Sequence, residues 1–336
     1  MDRSFARAFP MLAGASLALS ILISGCGSKP DTGGTGAATP GASSASKGTI
    51  GVSLLTSTNP FFNDMGQAID QEAKADHMQT VITSADNDPA KQNDQVNGFI
   101  AQKVSAIVLN PADSRSIGTA IQSANKAGIP VFTADIASLS KDAKVVTHIA
   151  TDNLAGGRLA GEAMIEALGG TGKVAILDHP VTESVMMRTR GFEEVINRHN
   201  AEGHGKIDIV TKLTGGGEKD KSFKATEDIM QAHPDVTGIF AINDPSALGA
   251  VAALEKANKA GQVKIVGFDG QPEGKQAIKD GKIYADPIQF PDEIGKQTVD
   301  AIVKYMAGDA PPAQILIPTK LYKKADAEAD KSLAAK

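Results

Sequence analysis

From Thr49 onward, short apolar runs rich in β-branched residues alternate with segments of helical period. A run that is apolar at nearly every position suits a strand covered on both faces, and a helix after each run is the connection that parallel neighbours need. The pattern predicts strands at Thr49 to Leu55, Thr80 to Ser84, Val104 to Leu109, Ile129 to Thr133 and Lys144 to Ile149. It predicts five more at Lys173 to Leu177, Ile207 to Thr211, Val236 to Ile242, Val263 to Phe268 and Ile283 to Ile288. Between them, Ile117, Ala120, Ile121 and Ala124 mark one buried helix face, and Ala160, Ala163, Met164 and Ala167 mark another. The expected class is α/β, with doubly wound parallel sheets.

Before Lys47 the pattern is of another kind. Arg3 and Arg7 precede a largely apolar stretch from Ala8 to Ile23 that is too short, and too interrupted at Pro10, for a membrane span. Residues 1–25 therefore read as a lipoprotein signal peptide. The stretch closes on Ile23-Ser24-Gly25-Cys26, which resembles the lipobox of bacterial lipoproteins and points to lipidation at Cys26. Residues 26–47 are almost all Gly, Ala, Ser, Thr and Pro, cannot bury enough apolar surface to order, and read as a flexible linker with a reach on the order of 25 Å. The expected location is outside the cytoplasm, lipid-anchored to the cell membrane on the periplasmic or cell-surface side.

An internal echo organises the rest. AlaAsnLysAlaGly occurs at Ala124 to Gly128 and again at Ala257 to Gly261. Fifteen positions before the motif's Asn, each copy has another Asn directly after an apolar strand, Asn110 and Asn243. After the glycine, each copy has a strand ending at an Asp, Asp135 and Asp269. Two similar units would thus each present an amide and a carboxylate at the carboxyl ends of consecutive strands, where ligands bind in open parallel sheets.

Two such pairs suit a small neutral polyhydroxylated ligand. A carboxylate accepts from vicinal hydroxyls, while an amide both donates and accepts. Asn59-Pro60-Phe61-Phe62 follows the first strand, so Asn59 can add a polar contact; the two rings can lie against a sugar or simply begin the core of the next helix. On helical spacing, Arg188 lies one turn before the apolar stripe Phe192, Val195, Ile196, whereas Arg190 points elsewhere, so Arg188 is the candidate guanidinium.

Composition narrows the classes. The 336 residues, 41% of them apolar, are enough for roughly two domains. A net charge of -5 with 4% aromatics and no Trp disfavours nucleic acid. Cys26 is the only cysteine, so the body can hold no internal disulfide, thiolate metal site or cysteine nucleophile, and no cofactor, metal or catalytic residue is expected. Gly169 to Lys173 fails the phosphate-loop spacing, and Asp178, His179 and Glu183 lack a second histidine at ligand spacing.

The motifs, taken as a set, resemble the periplasmic sugar-binding proteins of ABC importers, type I and closest to the ribose-binding class. The similarity runs from about Thr49 to Tyr322. It includes NPFF from Asn59, NPADS from Asn110, HIATDN from His148, AHPDV from Ala232, IFAINDPSALGA from Ile239, VGFDG from Val266 and QFPDEIG from Gln289. The resemblance implies that Asn59, Phe61, Phe62, Asn110, Asp135, Asn243, Asp269 and Gln289 line a sugar cleft, with Arg188 carried over past a loop about one residue shorter. It departs at Ile136, where the family has a sugar-clamping Arg, and at Gly215 to Gly217, where it has a stacking Phe. Ribose therefore looks a poor fit, and a hexose, deoxysugar or polyol a better one.

The expected organisation is an N-terminal lobe of 48–151 plus 290–317, a C-terminal lobe of 152–289 plus 318–325, a three-segment hinge, and a tail at 326–336. The function implied is a monomeric receptor that closes over a sugar or polyol and hands it to an ABC importer permease. The alternatives are a sugar sensor for a membrane signalling partner, the effector lobes of a sugar-responsive repressor, and an exported sugar-modifying enzyme. The repressor is opposed by the export signal and the lack of a helix-turn-helix. The enzyme would need Asp135 and Asp269 to differ in protonation, and their matching sequence settings give no reason for that.

Overall fold

The computed structural model describes residues 46–333; the expected signal segment, Cys26, most of the linker and the last three residues lie outside the described residues. Two six-stranded sheets account for the strands. The first contains β1 (Thr49–Leu54), β2 (Gln79–Ser84), β3 (Ala106–Leu109), β4 (Val131–Ala134), β5 (His148–Thr151) and β11 (Gln314–Ile317) in the spatial order β2-β1-β3-β4-β5-β11. The second contains β6 (Gly172–Asp178), β7 (Ile207–Thr214), β8 (Gly238–Ala241), β9 (Lys264–Val266), β10 (Ala285–Ile288) and β12 (Lys320–Lys323) in the order β7-β6-β8-β9-β10-β12. The two orders are the same, which makes the echo in the sequence a repeat of topology. Every pairing is parallel except β10 with β12.

Helices cover both faces. Lobe one carries α1 (Pro60–Ala75), α2 (Pro89–Ala101), α3 (Gly118–Lys126) and α9 (Pro291–Met306); lobe two carries α4 (Asn153–Leu168), α5 (Glu183–Glu202), α6 (Lys219–Ala232), α7 (Asp244–Lys256), α8 (Pro272–Lys279) and α10 (Lys324–Ala329). Strands β3, β4, β5 and β8 are buried at every residue, as strands between two helical layers must be. Each lobe has apolar clusters above and below its sheet.

Helix starts fix polar groups at the strand ends. Asn59 caps α1 by accepting from the Phe61 N–H at 3.0 Å, and Asn243 caps α7 by accepting from the Ser246 N–H at 3.0 Å; a proline follows each in the first turn. Helices α4 and α5 approach so closely that a Cβ at Gly157 would lie 2.1 Å from the Arg188 carbonyl oxygen and one at Gly191 2.3 Å from that of Leu154. Only glycine permits this crossing, and it brings Arg188 against the start of α4.

The chain passes from the first sheet to the second between Thr151 and Asn153, returns between Ile288 and Pro291, and crosses again between Ile317 and Lys320. All ten expected strands are present, with shifted ends. Strands β11 and β12 were not expected; they are four-residue edge strands with exposed positions and carry no clean period. The expected tail also needs correcting. Residues 324–333 fold back on lobe two, where Ala327 is fully buried and the Tyr322 hydroxyl donates to Asp330 at 3.0 Å.

Candidate functional site

The carboxyl ends of the two sheets face a cavity of about 660 Å³. Lobe one presents Asn59, Phe61, Phe62, Asp135 and Ile136 to it; lobe two presents Arg188, Asn243 and Asp269, with Gln289 at a crossing. Phe61 and Phe62 are edge-to-face at 5.2 Å between centroids, and both also belong to the lobe-one core, so the two readings of these rings hold together. Arg190, by contrast, is exposed and paired with Glu194.

Asn110 is the one expected residue that the structure keeps off the wall. It is buried beneath the cavity, its Oδ1 accepting from the Leu55 N–H at 3.0 Å and its Nδ2 donating to the Ala134 carbonyl at 2.7 Å. With both ends of its amide on backbone, it braces β1 against the turn that carries Asp135. Asn243 also spends its amide on structure, through the α7 cap and a 3.0 Å bond to the Gly217 carbonyl, yet reaches the cavity.

Asp135 follows β4 at φ 64° and Asp269 follows β9 at φ 106°, both outside the comfortable region for a non-glycine residue. Each is 2% exposed, so a strained backbone position delivers a buried carboxylate in each lobe. Their surroundings differ. Asp269 Oδ1 accepts from Arg188 Nη1 at 3.0 Å and from Gln289 Nε2 at 2.6 Å. Arg188 is held in turn by Asn153 Oδ1 at 2.8 Å, the Ile242 carbonyl at 2.8 Å and the Phe268 ring, 3.9 Å from its Cζ.

Asp135 has no cation of its own lobe beside it, and its buried Oδ1 has no partner among the described residues. Burial raises its pKa to about 7, with Arg188 pulling down and Asp269 pushing up from across the cavity. Burial also lifts Asp269, against the pull of Arg188, Gln289 and Asn59. The expectation that the two carboxylates share one electrostatic setting is therefore corrected. The repeat duplicated the backbone and left the charges unequal, because Arg188 has no counterpart in lobe one, where Ile136 stands next to Asp135.

The family can now be settled. Residues 50–310 match the profile of the periplasmic binding protein domain. The chain belongs to the periplasmic binding protein family. Among its relatives, the ribose import binding protein RbsB of Bacillus subtilis is 36% identical over 274 residues, 81% of this chain and 86% of that protein. The D-apiose import binding protein of Paraburkholderia graminis is 32% identical over 272 residues, 80% of this chain and 85% of that one. A solved ABC transporter solute-binding protein from Bacillus halodurans with bound myo-inositol superposes with a TM-score of 0.77 at 26% identity, covering 87% of this chain and 99% of that one. The type I periplasmic binding protein fold, with two mostly parallel α/β lobes, is thus shown by topology and likeness together.

Several cavity residues of this binding protein escaped the sequence reading. Gln271 lines the wall with a buried Oε1 that has no partner among the described residues, and its N–H donates to Asp244 Oδ2 at 2.5 Å. Gln271 directly follows VGFDG and Asp244 lies inside IFAINDPSALGA, next to Asn243, so adjacency is the signal the sequence offers. Asp244 and Asp286 form a buried carboxyl pair behind that wall, where burial raises both, Asp286 to about 7. His179 and Thr182 come from the β6–α5 loop, whose Asp178, His179 and Glu183 lack metal-ligand spacing and so carry no local sign of the cavity.

Proposed function

We propose that this chain is a solute-binding receptor that captures a sugar or polyol by lobe closure and delivers it to an ABC importer. The observation that carries the reading is the pair of strand-end carboxylates, Asp135 and Asp269, converging from two lobes on one cavity beside a fixed guanidinium. Hydroxyls meet acceptors there, and Phe61 and Phe62 offer an apolar wall for C–H faces. The relatives are import binding proteins for ribose and apiose, which supports the same class of ligand.

The lobes in this reading are 48–151 with 290–317 and 152–289 with 318 onward, hinged at the three crossings. Closure buries the ligand with no reaction needed. Symmetry no longer argues against an enzyme, but Asp269 is already committed to a buried ion pair, which suits a hydroxyl acceptor better than a nucleophile. No helix among the described residues is long and apolar enough to cross a membrane. The anchor in this reading is lipid at Cys26, at the close of the lipobox-like run Ile23-Ser24-Gly25-Cys26. We place the protein outside the cytoplasm as a lipid-anchored monomer.

The preferred ligand in this reading is a hexose, deoxysugar or polyol. Ile136 removes the clamp guanidinium, and Gly216 and Gly217, at φ 61° and 68°, keep the opposite wall free of a side chain. Thermal denaturation against a panel of sugars and polyols tests this. A true ligand at 100 times its Kd adds about 2.7 kcal/mol, and a panel with no shift overturns the receptor reading.

A further inference from the structure

Helix α5, which carries Arg188, begins at Glu183, and Thr182 in its cap position makes no side-chain cap bond. The first turn of a helix leaves N–H groups with no partner inside the helix, and a nearby hydroxyl usually supplies one. Here the hydroxyl comes from the other lobe. Ser114 Oγ accepts from the Glu183 N–H at 2.9 Å, and the Ser114 N–H donates to the Val181 carbonyl at 3.0 Å.

Ser114 is itself fixed in lobe one. It lies between β3 and α3, is fully buried, and its carbonyl accepts from the Leu139 N–H at 2.7 Å. Asp113 Oδ1 holds the turn by accepting from the N–H groups of Arg115 and Ser116 at 2.9 and 2.7 Å. Donor and acceptor thus run both ways between the lobes through Ser114 alone. Ser114 does not line the cavity.

We propose that Ser114 is the latch of the closed receptor, capping α5 from the opposite lobe and stabilising closure whatever the ligand. The inference rests on the receptor reading for its purpose and on the two cross-lobe bonds for its geometry. When the lobes part, the Glu183 N–H exchanges a fixed acceptor for water. Because a ligand enclosed by both lobes leaves only after opening, the latch acts mainly on the dissociation rate.

The test compares the full chain with Ser114→Ala and Ser114→Thr. Hydrogen exchange without sugar should show the Glu183 amide exchanging about three- to tenfold faster in Ser114→Ala, recovering in Ser114→Thr, with the β6 amides unchanged. With D-ribose, D-allose, myo-inositol and xylitol as probes, Ser114→Ala should speed dissociation by one common factor for every sugar that binds. Ser114→Cys, which keeps the shape with a weak acceptor, replaces the alanine variant if that one melts early. Unchanged Glu183 exchange in the loss-of-acceptor variants overturns the latch. A wild type whose inter-lobe spin-label distance answers to none of the four probes overturns the receptor reading, while the Glu183 amide still decides the latch.

Discussion

Lobe one and lobe two present the same fragment twice: a buried strand, an Asn at its end, a second strand, and an Asp at positive φ. In lobe two the fragment is electrically complete, since Asp269 has Arg188 and Gln289. In lobe one it is not, since Asp135 has an isoleucine beside it and an oxygen with no partner among the described residues. A duplicated backbone can therefore hold one carboxylate locked into an ion pair and one that faces the same cavity without a cation of its own lobe.

The sharpest way to break the comparison is to delete each carboxylate. Asp269→Ala and Asp135→Ala should both abolish sugar binding in calorimetry, because each removes an acceptor from buried hydroxyls. Stability should separate them. Asp269→Ala strands the Arg188 charge, 4% exposed, and should lose about 3–5 kcal/mol in urea denaturation. Asp135→Ala should lose none, and equal losses would show that the lobes are electrically alike after all.

Next in size is a pH effect. The Asp135 carboxyl, raised to about 7 in the fold by burial, binds its proton more tightly there than in the unfolded chain. Stability from this group is therefore greatest in acid and falls as pH rises from about 4 through about 7, by up to about 4 kcal/mol. Asp135→Asn cannot titrate, so the stability gap between it and wild type should move in the variant's favour between pH 5 and 8. A gap that stays constant refutes the asymmetry.

A gentler change makes lobe one resemble lobe two. Ile136→Arg places a guanidinium beside Asp135 and should raise ribose affinity by about ten- to a hundredfold while flattening the pH effect. Adding Gly217→Phe is the weaker experiment, because Gly217 has φ 68° and a Cβ there would lie 3.1 Å from Asn243 Nδ2. Wild-type protein that prefers ribose over every hexose and polyol would remove the premise. Smallest of all, Arg190→Ala and Lys173→Ala should leave affinity and melting temperature where they were, since both side chains make exposed ion pairs.

The duplication, the strand ends and nine of the ten proposed cavity residues were legible because they sit on strong local patterns: an apolar run, then an Asn or Asp where it stops. Asn110 was misplaced by that same rule, since a strand-end amide can turn down into the backbone as readily as up into the cleft. Strands β11 and β12 were illegible for the opposite reason. At a sheet edge, half-exposed residues such as Leu316 and Lys320 need no apolar period. Inequality of the two aspartates depended on a guanidinium 81 residues before Asp269, a distance that no local pattern spans.

The position of β11 and β12 has a consequence for how the chain is made. Each sheet takes its edge strand from residues 314–323, after every other strand in chain order, and Thr319 ties the crossing between them back to the Ile288 carbonyl at 2.8 Å. Synthesis delivers the chain N-terminus first, so ten strands emerge before either sheet can take its sixth. Closure of both sheets then waits on one short segment, and the two lobes complete together rather than one after the other.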